Sequence, residues 1–491
     1  MPECISQTTS NPSAGTPAEE KSILRFFGGP AVLLLPAAAF VAFTIHLFIF
    51  EQAFDLYGLA LAGFLMLFAG SVMARDRRAY WKAAVSGVAG EMSATVVLLL
   101  LAAGVFSAMM KAGGVAEGLV HLGSTFEFTG PVFTIFVLLG TSVLAAATGS
   151  SIGSLLAAMP IFFPVGTAIG VDPNLLAGAI LSGAIFGDNL APVSDVTIIS
   201  CLTQRFRDGR TTDVGAVVRS RLPYALTALA IAVVFYAVTG SGSTTTAPTG
   251  TGDAAGLYML IPVVVLIAVA VVTKDVLQAV TAGILVGAVT GLATGALTPE
   301  AVFSADGGKI TGFIHDGIEN VAPIILLCLT LFAYTHLITL AGVPEALERA
   351  AKRRLGHEPS KGAFEGVLAA TTLVTTTLFA AVTSASVAMV GALTDTLSRG
   401  SGVHPHRRAN LLSGFANSLP VLMPFSAFIL ITLAATAAFD KGASVTPYSL
   451  MTTTFYPVAL FIVFSVSIAT GIGRKRDALG MPDTAPEARH E

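Results

Sequence analysis

Residues 174–202 form a segment that is long and apolar enough to cross a bilayer, yet polar groups interrupt it. Its middle carries Asp188, Asn189, Pro192, Ser194 and Asp195. An unbroken helix would place Asp188 and Asp195 on one face, about two turns apart. Proline lacks a backbone donor and clashes with the preceding turn, so we predict two half-helices that meet at a non-helical elbow.

An elbow of this kind restricts what the segment can do inside a membrane. Irregular backbone survives at that depth only where protein or a water-filled cavity satisfies its polar groups. A carboxylate there costs about 2.5 kcal/mol or more, so the two aspartates predict a functional site. The alternative is a solvated turn between two short helices. The apolar flanks and the lack of Lys or Arg within 174–202 favour the membrane interpretation.

The composition of the 491-residue chain excludes an ordinary soluble domain. Hydrophobic residues make up 54% of the chain and charged residues only 12%, which indicates a multi-spanning membrane protein. The three cysteines, Cys4, Cys201 and Cys328, lack metal-ligand spacing. The chain contains no Gly-Lys-Ser/Thr phosphate loop, so ATP-driven pumping is not supported. We predict no cofactor and no nucleic-acid partner.

The succession of apolar segments predicts an all-α polytopic membrane protein with about 12–14 transmembrane segments. Pro160 and Pro164 interrupt the segment 150–170, and the segment 383–397 is short, so either is a candidate half of a re-entrant hairpin. The predicted divisions are a disordered cytoplasmic tail (1–28), a first transmembrane helix (29–50), repeat 1 (56–202), a connecting segment with two transmembrane helices (203–275), repeat 2 (276–438), a last transmembrane helix (448–470) and a cytoplasmic tail (471–491).

The distribution of basic residues predicts the orientation. With a cytoplasmic N-terminus and every segment crossing, all of the 27 basic residues except Lys111, Lys309 and Lys441 fall on the cytoplasmic side, including an arginine-rich loop at 205–221. This bias follows the positive-inside rule. We therefore expect a multi-pass protein of the cell membrane with both termini in the cytoplasm, surrounded by lipid and with a second copy of the chain as a candidate partner.

Short motifs recur in the same order in the two halves of the chain. The matched pairs are Glu91-Met-Ser-Ala with Glu319-Asn-Val-Ala, Ala147-Thr-Gly-Ser-Ser with Ala381-Val-Thr-Ser-Ala-Ser, Leu181-Ser-Gly-Ala with Leu412-Ser-Gly-Phe, and Pro192-Val-Ser with Pro424-Phe-Ser. In the predicted topology the two repeats are inverted. Inverted repeats with broken helices are typical of secondary transporters, whose site lies near the midplane. The alternative is that spans rich in Leu, Ala and Gly resemble one another by composition.

Both repeats place oxygen-bearing side chains at their expected helix breaks. Repeat 1 offers Thr148, Ser150, Ser151, Asp188, Asn189, Ser194 and Asp195, and repeat 2 offers Thr383, Ser384, Ser386, Asn417, Ser418 and Ser426. Hard cations such as Na⁺ favour carboxylate, hydroxyl and carbonyl oxygens. Competition between a proton and a cation for one desolvated carboxylate suffices for exchange. For each hydroxyl, close helix packing is the alternative explanation.

Glu91 and Glu319 occupy matching positions in the two repeats. They are candidates for an access path, and the competing interpretation is that they simply mark helix ends.

Residues 187–197, Gly-Asp-Asn-Leu-Ala-Pro-Val-Ser-Asp-Val-Thr, resemble the signature region of the NhaC-type sodium/proton antiporters, with Ala147-Thr-Gly-Ser-Ser and Pro160 preceding it. The family also contains members that exchange organic acids such as malate and lactate. The chain has Asn189 and Ala191 where family members commonly have Lys and Ser. The resemblance implies an ion-transporter fold with two inverted halves, transported Na⁺ and H⁺, and Asp188 and Asp195 as their carriers. Further candidate ligands that it implies are Ser194, Thr197, Thr148 and Ser150.

Three functions are therefore compared. The leading hypothesis is a sodium/proton antiporter with Asp188 and Asp195 as the exchange site. The second is an organic-anion or amino-acid exchanger of the same fold, in which hydroxyls, Asn417 and half-helix N-termini hold a substrate carboxylate. The third is an intramembrane aspartyl hydrolase. Two aspartates seven residues apart in one broken segment are poorly placed for a shared water, and the repeats stay unexplained, so we do not expect an enzyme.

Overall fold

The computed structural model describes residues 24–47, 56–115, 130–240, 254–306, 308–343, 360–398, 401–437 and 445–474, together with single positions between these ranges. The predicted tails at 1–28 and 471–491 lie mostly outside the described residues. Residues 56–202 are the first unit of the chain, and residues 276–438 are the second unit.

Helices make up nearly all of the regular structure. A first helix and the first unit contribute α1 (Leu34–Ile45), α2 (Leu56–Met73), α3 (Arg77–Val88), α4 (Glu91–Ala112), α5 (Gly130–Thr148), α6 (Ser151–Ala168), α7 (Pro173–Leu190) and α8 (Asp195–Leu202). The connecting segment contributes α9 (Val214–Gly240) and α10 (Leu260–Thr273).

The second unit contributes α11 (Val276–Thr294), α12 (Pro299–Val302), α13 (Phe313–Leu340), α14 (Lys361–Leu378), α15 (Thr383–Leu397), α16 (Pro405–Ala416) and α17 (Ala427–Ala437). An antiparallel pair, β1 (Ser304–Asp306) and β2 (Lys309–Thr311), precedes α13. The described chain ends with α18 (Pro447–Thr453) and α19 (Phe455–Thr470).

The prediction of an all-α polytopic membrane protein with broken helices is confirmed. Within the described ranges, seven helices are long and apolar enough to cross a membrane, and the number rises to nine if each of two bent helix pairs counts as one span. The bent pairs are Pro405–Leu422 with Ala427–Ala437 and Pro447–Thr453 with Phe455–Thr470, each bent by 51°. Three shorter apolar helices add to these: Pro30–Thr44, Tyr57–Met73 and Gly256–Ala270.

The predicted elbow separates α7 from α8. The helix α7 begins at Pro173, with Asp172 capping it by accepting a hydrogen bond from the Asn174 backbone nitrogen at 2.7 Å. It ends at Leu190, and Ala191 is extended because the residue before a proline disfavours the helical region. The chain becomes helical again at Asp195.

Two helical hairpins accompany the broken helices. The helices α5 and α6 meet at Gly149 and Ser150, and Gly149 has a positive φ of 69° that glycine adopts without steric cost. The helix α6 continues through Pro160 and Pro164, so these prolines do not interrupt it. In the second unit, α14 and α15 meet at residues 379–382.

Glycines bring α7 very close to α5. A Cβ atom on Gly183 would lie 2.4 Å from the Leu138 carbonyl oxygen, and one on Gly187 would lie 2.2 Å from the Ser142 carbonyl oxygen. Small residues allow such backbone contact between membrane helices. This contact fixes the end of α7 against the hairpin arm and so fixes the position of the adjoining elbow.

Candidate functional site

Each hairpin tip lies against the helix break of its own unit. In the first unit, a Cβ atom on Gly149 would be 2.6 Å from Val193 Cγ2, so the tip touches the elbow. In the second unit, the Ala427 backbone nitrogen donates to the Ala380 carbonyl oxygen at 3.0 Å, which joins the tip to the start of α17. Backbone groups left unpaired by a break require such partners inside a membrane.

A cavity of about 290 Å³ lies between these tips and breaks. Helices α4 and α13 complete its wall. Its lining includes Thr95, Val96, Leu99, Thr148, Gly149, Ser150, Ser151, Ile152, Asp188, Val193, Ser194, Asp195, Val196, Cys328, Phe332, Ala381, Val382, Thr383, Ser384, Ala427 and Phe428. The two aspartates are the only charged residues in this lining. Any charge on this lining is therefore negative.

Asp188 is the buried carboxylate of the cavity, with 4% of its surface exposed. Ser151, at the start of α6, donates a hydrogen bond from its Oγ to Asp188 Oδ2 at 2.5 Å. A charge-assisted hydrogen bond of this length is stronger than one between neutral groups. The hairpin tip of the first unit therefore holds the carboxylate of its broken helix in place.

The elbow supplies two more polar groups to the cavity. Ser194 is fully buried, and its Oγ lies near the Asp188 carboxylate but forms no hydrogen bond of ordinary geometry with any described residue. Asp195 lines the cavity as the first residue of α8 and is exposed. A buried hydroxyl without a partner loses its hydration without compensation, which is the environment a bound ion or water would relieve.

Two further hydroxyls of the lining form hydrogen bonds within the first hairpin. Thr148 Oγ1 lies 2.7 Å from Ser154 Oγ, and Ser150 Oγ accepts from the Gly153 backbone nitrogen at 3.1 Å. Thr383 and Ser384 line the cavity from the first turn of α15.

Several predicted site residues do not line the cavity. Asn189 donates from Nδ2 to Tyr456 Oη at 3.0 Å and accepts from Ser413 Oγ at 3.1 Å. Thr197 accepts a hydrogen bond from Arg221 at 3.0 Å. The partners of both residues also lie outside the cavity lining.

In the second unit, too, some of the predicted site residues lie outside the cavity lining. Ser386 pairs with Thr376 at 2.5 Å, Ser418 donates to the Phe415 carbonyl oxygen, and Ser426 caps the start of α17. Asn417 is fully buried, and neither its Oδ1 nor its Nδ2 has a hydrogen-bond partner within the described part of the chain. Asn417 thus keeps free binding capacity outside the cavity lining.

Glu91 and Glu319 are both exposed. Glu91 is the first residue of α4, and Glu319 lies near the start of α13, with its Oε2 3.7 Å from His315 Nδ1.

Sequence reasoning missed Arg221. The arginine-rich loop was expected to extend to residue 221, but α9 begins at Val214, so Arg221 lies within the helix and is fully buried. Sequence reasoning also missed a buried ion pair in the second unit, in which Arg407 Nε lies 3.2 Å from Glu365 Oε1. The sequence offered one signal for their burial: these charged residues lie only a few positions away from long apolar segments of the chain.

Comparison with known proteins links this arrangement to transporters. Residues 5–241 match the family model described as the Na⁺/H⁺ antiporter family. The chain is 29% identical over 209 residues to the malate-2H⁺/Na⁺-lactate antiporter of Bacillus subtilis (strain 168), which covers 42% of each chain. It is 33% identical over 104 residues to the Na⁺/H⁺ antiporter NhaC of Alkalihalophilus pseudofirmus, covering 21% of this chain and 22% of the relative.

A longer match reaches the arginine/ornithine antiporter ArcD of Halobacterium salinarum, with 28% identity over 274 residues, 51% of this chain and 53% of the relative. Each of these three matches spans less than two thirds of the relative's own length.

Proposed function

We propose that the chain, whose residues 5–241 match the family model described as the Na⁺/H⁺ antiporter family, is a secondary transporter that exchanges Na⁺ for H⁺ across the cell membrane. Asp188 and Asp195 carry the transported ions, and both termini face the cytoplasm. The two units move relative to each other and expose the cavity to one side of the membrane at a time.

One observation carries this proposal: the buried Asp188 carboxylate faces a cavity whose only charged lining residues are aspartates. Carboxylates and hydroxyls are the ligands that a hard cation such as Na⁺ prefers. The lining also offers hydroxyls from both units, among them Ser194 and Thr383. A cation bound here would replace the water that burial removes from the carboxylate.

Exchange follows from competition for the same oxygen atoms. A proton on the Asp188 carboxylate blocks Na⁺ binding, and an arriving Na⁺ displaces the proton into the cavity. Ser151 donates to Asp188 Oδ2, so the other carboxylate oxygen is available to either ion. Because the site holds one or the other ion, movement of the units couples their opposite fluxes.

The cavity volume favours a second candidate, exchange of a small organic anion or amino acid. About 290 Å³ is more than one dehydrated Na⁺ needs, and the malate/lactate antiporter of B. subtilis is a relative. The two aspartates oppose an anion by like-charge repulsion, so such a substrate would require protons or Na⁺ bound beside it.

The test uses proteoliposomes that contain a pH-reporting dye. Addition of Na⁺ should change the internal pH for the wild-type protein, and Asp188→Asn or Asp195→Asn should abolish the change. Asp172→Asn is the matched control, since Asp172 is an exposed cap of the same segment and asparagine caps a helix equally well. It should transport as the wild type does.

Malate, lactate and amino acids are then added without Na⁺. Proton movement with an organic solute and none with Na⁺ would replace the sodium assignment by the second candidate. Sodium-driven exchange that persists in Asp188→Asn would refute the carboxylate site.

A further inference from the structure

Arg221 is a fully buried arginine on α9, a helix of the connecting segment. It lies seven residues after the helix start, which places it roughly 10 Å along the helix axis. The guanidinium makes four hydrogen bonds: Nη1 to the Asn189 carbonyl oxygen (2.7 Å) and to Thr197 Oγ1 (3.0 Å), Nε to Asn410 Oδ1 (3.2 Å), and Nη2 to Ser200 Oγ (3.4 Å).

All four acceptors are neutral, which distinguishes Arg221 from the other buried arginines. Arg407 pairs with Glu365 at 3.2 Å, and Arg408 pairs with Asp395 at 3.4 Å. Among the described residues, no carboxylate lies within ion-pair distance of Arg221. A buried charge is costly unless opposite charge and hydrogen bonds compensate it, so the compensation for Arg221 must come from farther away.

The carboxylates closest in sequence to the groups that Arg221 binds are those of the transport site. Arg221 binds the carbonyl group of Asn189, the residue after Asp188, and the hydroxyl group of Thr197, two residues after Asp195. The guanidinium therefore touches the rear of the elbow whose front lines the cavity. Arg221 does not line the cavity, so it does not coordinate a transported ion in this conformation.

We infer that Arg221 is the fixed countercharge of the transport site, a positioning residue that sets how strongly Asp188 and Asp195 attract Na⁺ and H⁺. This inference rests on the proposed function. The neutral acceptors hold the guanidinium in place without neutralising it, so its field acts on the aspartates. Asn410 belongs to the second unit, and the contact therefore also joins the elbow to α16.

Few other ionisable groups face Asp188 from the elements packed against α7. They are Asp195 and the buried Cys201 on α8, Tyr236 on α9, which contacts Ser182, and Tyr456 on α19, which contacts Asn189. The helices α5, α6 and α17 contain no Asp, Glu, Lys, Arg, His, Cys or Tyr, and Tyr448 on α18 is exposed. Among the described residues of these helices, Arg221 is the only buried positive charge, since Arg219 on α9 is exposed.

The experiment measures the KM for Na⁺ at alkaline pH and the pH of half-maximal exchange on the acid side. Na⁺ and H⁺ carry the same charge, so removing a nearby positive charge strengthens the binding of both by the same factor. For Arg221→Gln we expect KM to fall on the order of tenfold, the effect of one unit charge about 10 Å away at an effective permittivity of about 20. At Na⁺ concentrations well below KM, the acid-side midpoint should move to higher pH by the logarithm of that factor, because Na⁺ then does not compete with the proton.

Three further variants separate charge from structure. Arg221→Lys keeps the charge and should restore both values towards wild type. Asn410→Asp keeps Arg221 and the shape of the side chain at 410, and it gives the guanidinium a carboxylate partner. It should therefore shift KM and the acid-side midpoint as Arg221→Gln does. This variant replaces Arg221→Gln if the latter does not fold. Arg219→Gln removes an exposed arginine from the same helix and should change neither value.

An unshifted KM and midpoint in Arg221→Gln or Asn410→Asp, with sodium exchange intact, would overturn the countercharge role and leave the proposed function standing. The inference would also be overturned if Arg221→Lys and Arg221→Gln lowered the maximal rate equally and left KM unchanged. A purely structural role of Arg221 predicts that pattern. A wild-type protein without sodium exchange would refute the proposed function and this inference together.

Discussion

The close contact between α7 and α5 predicts that Gly187→Ala disables the transport site through geometry alone. Gly187 directly precedes Asp188, and a Cβ atom at this position would lie 2.2 Å from the Ser142 carbonyl oxygen and 2.7 Å from the Ala146 backbone nitrogen. Real Cβ atoms essentially never approach closer than 3.0 Å, so the two helices must separate by about 0.8 Å. Backbone atoms cannot rotate away as a side chain can.

The consequence reaches the carboxylate directly. If Asp188 moves with its helix, its distance to Ser151 Oγ grows from 2.5 Å to about 3.3 Å, which is beyond the usual range for hydrogen bonds between oxygen atoms. A hydrogen bond to a charged group contributes about 1.5–3 kcal/mol, and each 1.4 kcal/mol corresponds to tenfold. We therefore expect a tenfold or larger loss of sodium-driven exchange, together with about 1–3 kcal/mol of overpacking cost.

Proteoliposome exchange rates and thermal unfolding of the detergent-solubilised protein measure these effects. Gly366→Ala is the matched control, because Gly366 lies inside α14 and a Cβ atom there meets nothing within 4 Å. Alanine should raise helix stability by about 1 kcal/mol at that position and leave transport unchanged. Normal exchange in Gly187→Ala would show that the geometry of α7 does not control the site.

Two further predictions concern buried polar groups. Asn417→Leu removes an amide that has no hydrogen-bond partner among the described residues, so the melting temperature should stay equal or rise. Sodium exchange should fall, because we expect the amide to bind the transported species during the cycle. Unchanged exchange would exclude that role. Glu365→Gln removes the charged partner of Arg407 and Arg474, so the free energy of unfolding should fall by about 3–5 kcal/mol in thermal or denaturant unfolding. Glu300→Gln is the control, because Glu300 is exposed. An unchanged melting temperature in Glu365→Gln would contradict the ion-pair argument.

The sequence predicted the broken helix because proline has a fixed local effect. Pro192 forces the helix to end before it, and the structure places the break at residues 191–194. The sequence also indicated one arm of the second hairpin, since the short apolar segment 383–397 coincides with a helix from Thr383 to Leu397. Such local effects do not depend on the tertiary contacts of the segment, so the sequence alone is sufficient to predict them.

The surroundings of each side chain could not be predicted in the same way. Asn189 follows Asp188 directly, yet successive side chains of a helix point about 100° apart, and Asn189 contacts Tyr456 and Ser413 instead of lining the cavity. Arg221 lies at the edge of an apolar run, where a sequence window cannot distinguish a loop from the first turns of a helix. Its buried environment depends on contacts with distant residues such as Asn410.

The two hairpins resemble each other in structure but differ in charge, and this difference bears on mechanism. Each is closed near its tip by a pair of hydroxyl groups, Thr148 with Ser154 and Thr376 with Ser386. Both charged groups of the cavity lining belong to the first unit, and the second unit contributes only neutral residues. Relative movement of the units would therefore change the neutral ligands around the aspartates while the elbow keeps its charge. An ion held by the first unit could then meet different partners on each side of the membrane, which is what alternating release requires.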